Sequence, residues 1–537
     1  MNRNDNSSQL NWLGARLTQG AISRREFTGR AMALGVSSIL ASTMAAKALQ
    51  AAPPKRGGKM TLAMSHGGTS DTLDPALVSN GFEWTAIYGI ANTLTEVAPD
   101  GKLVPSLAES WESSSDAKSW SFKLRKGVEF HDGRSLTTKD VVANINYHTK
   151  EDSKSAVSSI LSQIEEMNVD GAHSITFKLK AGNADFPSIL SSANTCIFPA
   201  ISDDDIDWRG FVGTGGYSLK DFEPGVRANF QRNPNYWKEG RAHADQVELL
   251  SIVDPNARTS ALLSGQVDAI DQVDSKTAKL LEKKPGIQVE EYTGPLHYAY
   301  SMFTQTAPYN SNNVRMALKL GIDRDAFLTY ILQGRGTKGN DHPIGPSYEY
   351  HAADLEQTPF DPDKAKWHLK QEGLESVDVA LSTAEAAFAG AVDAAVLYQE
   401  SCKKSGINLA IERESSDGYW SNVWLKKPFV ALYWGGYQVA DTMLTTAYDV
   451  NAPWNDTQWD HPRFQKLLVE ARAELDKGKR GEMYYEMQKI LRDEGGIVVP
   501  AFANAVTAKT DKVAHGDHVS ALKAFDGRRI IERWWVA

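Results

Sequence analysis

The stretch "SWSFKLRKGVEFHDGRSLTTKDVV", residues 119–142, predicts a strand, a tight turn and the start of a helix in quick succession. Three apolar side chains from Trp120 to Leu124 alternate with polar ones, which is the period of a strand that packs one face against a core. The Asp-Gly pair inside VEFHDG favours a hairpin turn. Thr137 and Asp140 have the spacing of a capping box at a helix N-terminus. The stretch therefore indicates mixed α and β structure.

Helices and strands continue through the rest of the chain without strict alternation. "SITFKLKAG", residues 174–182, repeats the alternating strand pattern. Asp361, followed by proline, has the pattern of an N-cap for a helix that stops at Gly373. Residues 463–475 and 480–493 carry apolar side chains at helical spacing, and "GGIVVPAF" then returns to strand. These patterns predict an α/β protein.

The first 52 residues have the pattern of an export signal. "SRREF", residues 23–27, carries two adjacent arginines, and a short, weakly apolar run leads to an Ala-Lys-Ala site at Ala46–Ala48. The arginine pair resembles the twin-arginine type of signal. The run is too short and too polar to span a membrane permanently, and a retained amphipathic anchor is the alternative. We predict export to the periplasm and a mature chain of about 485 residues, a length typical of two or three domains.

Composition excludes several classes of partner. Removal of the signal takes away six basic and two acidic side chains, so the net charge goes from −9 to −13. An acidic chain of this kind has no basic stripe for nucleic acid and no polybasic face for anionic lipid. No later segment has about 18 consecutive apolar residues. Cys196 and Cys402 are too few for a disulfide scaffold, and their contexts favour buried packing, with an oxidised pair left open.

Motifs for catalysis or metal binding are not found. Glu129, His131 and Asp132 cluster in VEFHDG, but their spacing fits a hairpin better than a metal site. The glycines of GTGGY, residues 213–217, lack a P-loop ending and indicate a tight turn or a close backbone approach. The acidic run 203–205 has no calcium-loop spacing, and no GxSxG elbow occurs. The sequence therefore predicts no catalytic residue, metal or cofactor.

Aromatic residues concentrate in one late segment. Five of the fourteen tryptophans lie within forty residues: Trp420, Trp424, Trp434, Trp454 and Trp459. Core packing explains any single ring, and the spacing of the first two also fits one helix face. Glycines and polar residues, among them Gly435, Gly436, Gln438 and Asp441, interleave with the rings. That mixture favours a concave binding site with few orienting polar groups.

Several stretches together resemble the bacterial extracellular solute-binding proteins of the oligopeptide/dipeptide class, family 5. Residues 104–142 carry the elements LAESW, W-x-F-x-L-R-x-G-V-x-F-x-D-G and L-T-x-x-D-V in the family's order. Residues 213–237 are similar to the family's GTGPY…NPxYW segment, with Gly216 where proline is usual. "ALLSGQVDAID", "NVRMALKLGIDRDAFL", "FDPDKAKWHLKQEG" and "GGIVVPAF" match later blocks. The resemblance covers essentially the whole mature chain.

The resemblance implies an α/β periplasmic binding protein fold with two main lobes plus an inserted extra domain, the three-domain, cluster C type. Domain I is expected over 53–93, 206–304 and 506–537, domain II over 94–205, and domain III over 305–505. Ligand is expected between domains I and III, enclosed by hinge bending around crossing strands. By the same resemblance, the protein acts as a monomer and delivers a solute to an ABC permease and ATPase complex in the inner membrane.

The family's G-W-x-x-D segment falls on "YWGGYQVADT", residues 433–442. In peptide-binding members, an aspartate two or three residues after the tryptophan pairs with the peptide's α-ammonium group. Here Trp434 matches the tryptophan, but Gly436 or Tyr437 stands in the aspartate's place and Asp441 comes later. Either Asp441 reaches a positive ligand group in a shifted register, or that salt bridge is gone and the aromatic rings hold a bulky cation by cation–π contact.

The function predicted first is capture of a small peptide or an amine-bearing solute. A non-peptide solute such as an opine, a quaternary amine or a glycoside is the alternative, and a periplasmic hydrolase or chaperone on the same fold is a third reading. The residues predicted to bind ligand are Trp420, Trp434, Gly435, Gly436, Tyr437, Gln438 and Asp441.

The arginine pair generates a test of the export route. We expect the double variant Arg24→Lys, Arg25→Lys to accumulate poorly in the periplasm, because a twin-arginine signal is recognised through that pair. Immunoblots of periplasmic and cytoplasmic fractions measure the effect. Unimpaired accumulation in the periplasm would contradict the twin-arginine assignment.

Overall fold

The computed structural model describes residues 54–415 and 419–537, together with parts of the leader (residues 9–10, 12–14, 16, 22, 24–34, 36, 41 and 44). The predicted cleavage site at Ala46–Ala48 lies outside the described residues. None of the helices in the described part of the chain has the length and apolar character needed to cross a membrane.

Helices and strands are mixed along the chain, as the sequence predicts. The strands are β1 (Lys59–Met64), β2 (Thr95–Val97), β3 (Leu103–Pro105), β4 (Ala108–Ser113), β5 (Ser119–Leu124), β6 (Ile164–Val169), β7 (Ser174–Leu179), β8 (Tyr217–Glu223), β9 (Arg227–Arg232), β10 (Gln246–Ser251), β11 (Ala269–Ile270), β12 (Ile287–Met302), β13 (Gly336–Lys338), β14 (Val377–Thr383), β15 (Ile407–Arg413), β16 (Phe429–Trp434), β17 (Ile497–Thr510), β18 (Val513–Ala514) and β19 (Trp535–Val536). The α-helices are α1 (Arg24–Ala33), α2 (Gly81–Ile90), α3 (Thr138–Thr149), α4 (Ser158–Leu161), α5 (Phe186–Ile189), α6 (Pro255–Leu263), α7 (Ser275–Leu281), α8 (Asn312–Leu320), α9 (Arg324–Ala326), α10 (Pro362–Gln371), α11 (Ala391–Cys402), α12 (Tyr419–Asn422), α13 (Ala440–Tyr448), α14 (Pro462–Ala473), α15 (Lys477–Glu494) and α16 (Ile530–Arg533). Single turns of other helix types lie at Ala193–Thr195, Phe327–Ile331 and Lys403–Ser405, and a turn with left-handed residues lies at Ala524–Gly527.

One large sheet runs through both halves of the molecule. Its strands follow the order β15-β14-β16-β12-β17-β11-β1-β10-β9-β8, and β13 pairs with β17 as an eleventh strand. The long strands β12 and β17 are antiparallel to each other over most of their length. Their outer ends pair with different partners, β11 at one end of β17 and β16 at the far end of β12. This strand pair therefore belongs to both halves.

We call the half built on β1 and β8–β11 the first lobe, and the half built on β13–β16 the second lobe. The first lobe has a core around Phe82, Tyr217 and Trp534. The second lobe has a larger core that includes Tyr300 and Tyr398. Since each half buries its own large aromatic side chains, each has the hydrophobic core expected of a separate folding unit.

A four-stranded antiparallel sheet, β4-β5-β7-β6, forms an inserted domain with its own core. The apolar faces predicted for β5 and β7 are confirmed, because Phe122 and Phe177 are fully buried and their rings lie 5.6 Å apart. The boundaries given above for the three domains stay a prediction.

Buried charges join the inserted domain to the first lobe. The Glu96 carboxylate accepts a hydrogen bond from Arg533 at 2.9 Å and also binds Lys238. Burial alone raises the pKa of Glu96, but the cations Lys238, Arg529 and Arg533 outweigh it and hold that pKa well below its ordinary value. A buried ion pair is costly to break because one charge is left uncompensated, so this network fixes the two units together.

Local features predicted from the sequence are confirmed. The Thr137–Asp140 capping box is present at the start of α3. The Nε2–H group of His131, in the predicted hairpin, donates to the Gly215 carbonyl oxygen at 2.9 Å, which ties the hairpin to GTGGY. A Cβ on Gly213 would lie 2.2 Å from the Ile90 carbonyl oxygen, so a close backbone approach explains this glycine.

Both cysteines have the packing role that their sequence contexts indicate. Cys196 and Cys402 are buried free thiols. Burial raises the pKa of the Cys196 thiol to about 12. Both residues therefore pack in apolar surroundings as free thiols, and they form no disulfide bond with each other.

Candidate binding cleft

The two lobes meet where the β12–β17 ladder is irregular. The register shifts between Thr293 and His297 of β12, so the segment from Gly294 to Leu296 bulges out of the ladder. A Cβ on Gly294 would lie 2.1 Å from the Ala521 carbonyl oxygen of the first lobe. Glycine is required there because that backbone approach leaves no space for a side chain. The bulge thus brings the strand pair shared by both lobes into contact with the first-lobe segment at Ala521. We call the bulged residues, from Gly294 to Leu296, the hinge bulge.

Aromatic rings form a continuous wall on the second lobe beside this hinge. Neighbouring ring centres lie 5.4 to 6.3 Å apart from Tyr433 through Trp420 and Trp424 to Trp454 and Trp434. Tyr298 stacks on Phe388 at 4.1 Å and is paired with Tyr433 across β12 and β16. The members are Phe388, Tyr298, Tyr433, Trp420, Trp424, Trp454 and Trp434. Three of them are partly open to solvent: Trp420 is 38% exposed, Tyr433 41% and Trp454 47%. Exposed large rings in contact with one another are typical of a ligand-binding surface.

A buried carboxylate lies beneath two of these indoles. Asp456 Oδ2 accepts hydrogen bonds from the indole N–H groups of Trp424 at 3.2 Å and Trp434 at 3.3 Å. Its Oδ1 has no hydrogen-bond partner in the part of the chain that the structure describes. Burial raises the pKa of Asp456 to about 7, and the two indole donors only partly oppose that rise. Sequence reasoning missed this residue, although it lies two positions after Trp454.

The Gly435–Gln438 turn connects the aromatic wall to the rest of the second lobe and to the inserted domain. The Tyr437 backbone N–H donates to the Tyr348 hydroxyl at 3.0 Å within the second lobe. Gln438 Oε1 accepts a hydrogen bond of 3.1 Å from the Ser191 hydroxyl of the inserted domain. Trp434, in contrast, is largely buried in the second-lobe core. The structure thus brings the predicted turn residues to an inter-domain surface, while their contact with a ligand stays a prediction.

Asp441 already has a cationic partner within the chain. Its carboxylate accepts hydrogen bonds from Arg472 Nε at 3.1 and 3.2 Å, and Arg472 also donates to Thr445. Burial raises the pKa of Asp441, and the Arg472 charge opposes that rise. The ion pair compensates the negative charge that we expected to meet a positive ligand group. That role for Asp441 stays a prediction.

A second buried pair joins the inserted domain to the second lobe. Asp185 accepts two hydrogen bonds from Arg480, at 3.0 and 2.5 Å, and both side chains are largely buried. Beside them, the Ala184 N–H donates to the Arg472 carbonyl at 2.7 Å. Burial lowers the pKa of Arg480, but the Asp185 charge outweighs it and the pKa lies above its ordinary value. No local sequence pattern predicts this contact, because its partners are 295 positions apart.

On the first lobe, the carboxyl ends of parallel strands face the hinge. The Ser65 N–H, directly after β1, donates to Asp271 at 2.7 Å, and Asp271 follows β11. Arg528 binds the other oxygen of Asp271 at 2.8 Å. Burial, followed by the Arg528 charge, lowers the pKa of the adjacent His66. Ligands of open α/β sheets bind outside the carboxyl ends of strands, so we expect this edge to form the first-lobe wall of the cleft.

The described residues contain no group of three or more His, Cys, Asp or Glu side chains arranged to hold a metal ion. The acidic run 203–205 lies in an exposed turn, where the Asp203 carbonyl accepts from Asn146.

Comparison with known families agrees with the motifs in the sequence. The profile of the bacterial extracellular solute-binding proteins, family 5 (middle region), matches residues 102–456. The chain belongs to this family. Members of the family are periplasmic or extracellular proteins that bind solutes for transport.

Relatives of known name differ in what they bind. Di/tripeptide-binding protein 1 of Pseudomonas aeruginosa (strain UCBPP-PA14) is 25% identical over 536 residues, which cover 90% of this chain and 96% of that protein. Heme-binding protein A of Haemophilus influenzae is 29% identical over 333 residues, which cover 56% of this chain and 60% of that protein. The family thus includes relatives named for different ligands.

Solved structures of similar chains confirm the periplasmic binding protein fold. DppA of Helicobacter pylori, in complex with the peptide STSA, has a TM-score of 0.76 at 23% identity and covers 90% of this chain and 99% of its own. AgaA of A. tumefaciens R10, in complex with agropinic acid, has a TM-score of 0.75 at 24% identity and covers 89% and 99%. The predicted two-lobe α/β fold with an inserted domain is therefore correct.

Adjacent glycines in the family's tryptophan segment give a matched pair of variants. Gly436 has a φ of +76°, and a Cβ there would lie 2.2 Å from the Pro295 Cβ of the hinge bulge. We expect Gly436→Ala to lower the free energy of unfolding by about 1–3 kcal/mol, through backbone strain and overpacking. Thermal and urea unfolding measure the change.

Gly435→Ala is the control, because no atom lies within 4 Å of a Cβ at that position. We expect its stability to stay within about 0.5 kcal/mol of the wild type. Equal stabilities for the two variants would contradict the close contact between Gly436 and the hinge.

The buried carboxyl of Asp456 predicts a pH effect on stability. The pKa of Asp456 is about 7 in the folded protein, against an ordinary value of 3.8. At a pH between these two values, the carboxyl is protonated in the folded state and ionised in the unfolded state. Stability must therefore fall as pH rises across that window. We expect Asp456→Asn to remove this fall, as measured by unfolding midpoints from about pH 4 to about pH 8.

The exposed Asp460 provides a control four residues away, and Asp460→Asn should follow the wild-type pH profile. An Asp456→Asn profile that superimposes on the wild type would show that the buried carboxyl does not titrate in this way.

Proposed function

We propose that this chain is the exported substrate-binding component of an ABC importer, and that it captures a small peptide or an amine-bearing solute between the two lobes. The observation that carries this proposal is the aromatic wall beside the hinge bulge, at the strand pair that both lobes share. A cleft between two units joined by a pair of crossing strands closes by bending at those strands.

Contacts on two sides of the cleft support closure around a small solute. The Asp185–Arg480 pair and the Ser191–Gln438 hydrogen bond connect the inserted domain to the second lobe. Near β13, Arg335 of the second lobe binds Glu282 of the first lobe at 2.6 Å. Contacts of this kind stabilise a closed form, which a transporter distinguishes from the open one.

A non-peptide solute, such as an opine, a quaternary amine or a glycoside, is the second candidate. The Asp441–Arg472 ion pair favours it, because a peptide's α-ammonium group then meets no uncompensated carboxylate at that position. The open faces of Trp420 and Trp454 suit a bulky or cationic group held by cation–π contact. The similar AgaA structure holds agropinic acid, which is not a peptide.

Location and partners form the remaining part of the proposal. The mature protein works in the periplasm after cleavage of a twin-arginine signal, acts as a monomer, and delivers its solute to an ABC permease and ATPase complex. The arginine pair, the Ala-Lys-Ala site and the family membership support this role. We also propose that binding occurs without turnover.

Native mass spectrometry of protein purified from its own host tests the proposed function. We expect a bound small solute that is released on unfolding and binds again saturably and unchanged. A peptide supports the first candidate, and an opine, amine or glycoside supports the second. Conversion of the rebound solute into a product would replace both candidates with a hydrolase.

Substitution of an exposed ring tests the aromatic wall. We expect Trp420→Ala to weaken binding of the recovered solute by about 1–3 kcal/mol, that is roughly tenfold or more, because the solute loses a large contact face. Isothermal titration with the recovered solute measures the affinity.

Trp367→Ala is the matched control, since Trp367 is 53% exposed on α10, outside the wall. Its affinity should equal the wild-type value. Equal affinities for the two variants would exclude the wall as the binding surface.

A further inference from the structure

A lysine without an anionic partner lies on the first-lobe side of the cleft. The Lys523 amine lies 3.5 Å from the centre of the Trp84 ring, within the range of a cation–π contact. It has neither an ion-pair partner nor a hydrogen-bond acceptor among residues 54–415 and 419–537. The residue is half-buried, and burial, followed by the Arg528 charge, lowers the pKa of the amine to about 7. The chain holds this amine in place without compensating its charge.

Neighbouring charged groups are already satisfied. Arg528 donates to Asp271, and Arg258 donates to backbone carbonyl oxygens, among them that of Ile252 at 2.7 Å. The nearby Asp71 carboxylate accepts backbone N–H groups and an Asn80 amide. The two carboxylates in this group, Asp271 and Asp71, therefore already have donors of their own, and neither is paired with Lys523.

The position of Lys523 connects it to the hinge and to the strand ends. Two residues before it, the Ala521 carbonyl packs against Gly294 of the hinge bulge. Trp84 lies in the first turn of α2, whose first residue, Gly81, packs against the Arg528 guanidinium. Lys523 therefore lies in a first-lobe segment that contacts the hinge bulge, and its Trp84 partner belongs to the helix that packs on Arg528 at the carboxyl edge of the sheet.

We propose that the Lys523 amine, held against the Trp84 ring, binds an anionic group of the captured solute, such as a carboxylate. This inference rests on the proposed function and specifies the charge of its solute. The Trp84 ring contacts one side of the Lys523 amine and holds it in place. The N–H groups on its other side donate to the anion. An ammonium group has three donors, so a carboxylate fits a site where the chain supplies none of the acceptors.

The charges on the two walls give the solute one orientation. On the second lobe, the exposed rings favour apolar or cationic groups, and the Arg472 cation there is already paired with Asp441. The anionic end of the solute therefore points to the first lobe, and its apolar or cationic end contacts the aromatic wall.

Titration of the full-length mature protein with acetate tests the site without a known solute. Lysines carrying ¹³C-methyl groups give separate NMR signals, and Lys523→Arg identifies the Lys523 signal while keeping a cation in place. We expect acetate to shift that signal saturably and acetamide, its neutral counterpart, to leave it unchanged at constant ionic strength. The exposed Lys279 of α7 is the internal control and should not respond saturably.

Two outcomes would overturn the proposal. One is an equal response of the Lys523 signal to acetate and acetamide. The other is a response to acetate no larger than that of Lys279. Either result would mean that Lys523 only packs against Trp84.

A paired set of peptide probes separates this inference from the proposed function. If alanyl-alanine binds, Lys523→Gln should weaken it roughly tenfold or more, with little change for alanyl-alaninamide, which lacks the carboxylate. Equal losses for the two probes would contradict an anion site. If neither probe binds while acetate still shifts the Lys523 signal, the anion site is supported and the peptide part of the proposed function is wrong.

Discussion

The antiparallel ladder between β12 and β17 is the constraint on which the rest of the molecule depends. These strands of 16 and 14 residues are shared by both lobes, so every hydrogen bond along them also fixes one lobe relative to the other. A continuous ladder would make one rigid sheet. Register shifts between Thr293 and His297 and between Tyr298 and Tyr300 interrupt it, and a glycine in the first of them lets the first lobe pack directly on the backbone. A local irregularity in a shared strand pair therefore creates both the hinge and the base of the cleft.

Buried ion pairs hold the inserted domain in a defined position against the two lobes. The Glu96 network attaches it to the first lobe, and Asp185–Arg480 attaches it to the second. A charge removed from water is costly without its partner, so both contacts favour one arrangement of the units strongly. The inserted domain thereby lies beside the cleft, where Ser191 reaches the Gly435–Gln438 turn.

The cleft itself has two walls of different chemistry. The second lobe offers rings supported by a buried carboxyl, while the first lobe offers strand ends, paired charges and the Lys523 amine, which has no anionic partner among the described residues. Family membership establishes solute binding, and the contrast between the walls supports a solute with an anionic end and an apolar or cationic end. The Asp441–Arg472 pair shows why motif position alone does not assign the ligand contact: an arginine from a neighbouring helix compensates the carboxylate.

The sequence by itself determined the local structure, the family and the α/β fold. The alternation in β5, the capping box before α3 and the buried cysteines depend on neighbouring residues, so a pattern of a few positions predicts them. Only the tertiary structure decided which charges meet: Asp185 with Arg480, Asp441 with Arg472, and Lys523 with no anion in the described chain. These relations join residues that are distant in sequence, and their energies depend on burial, which no local pattern specifies.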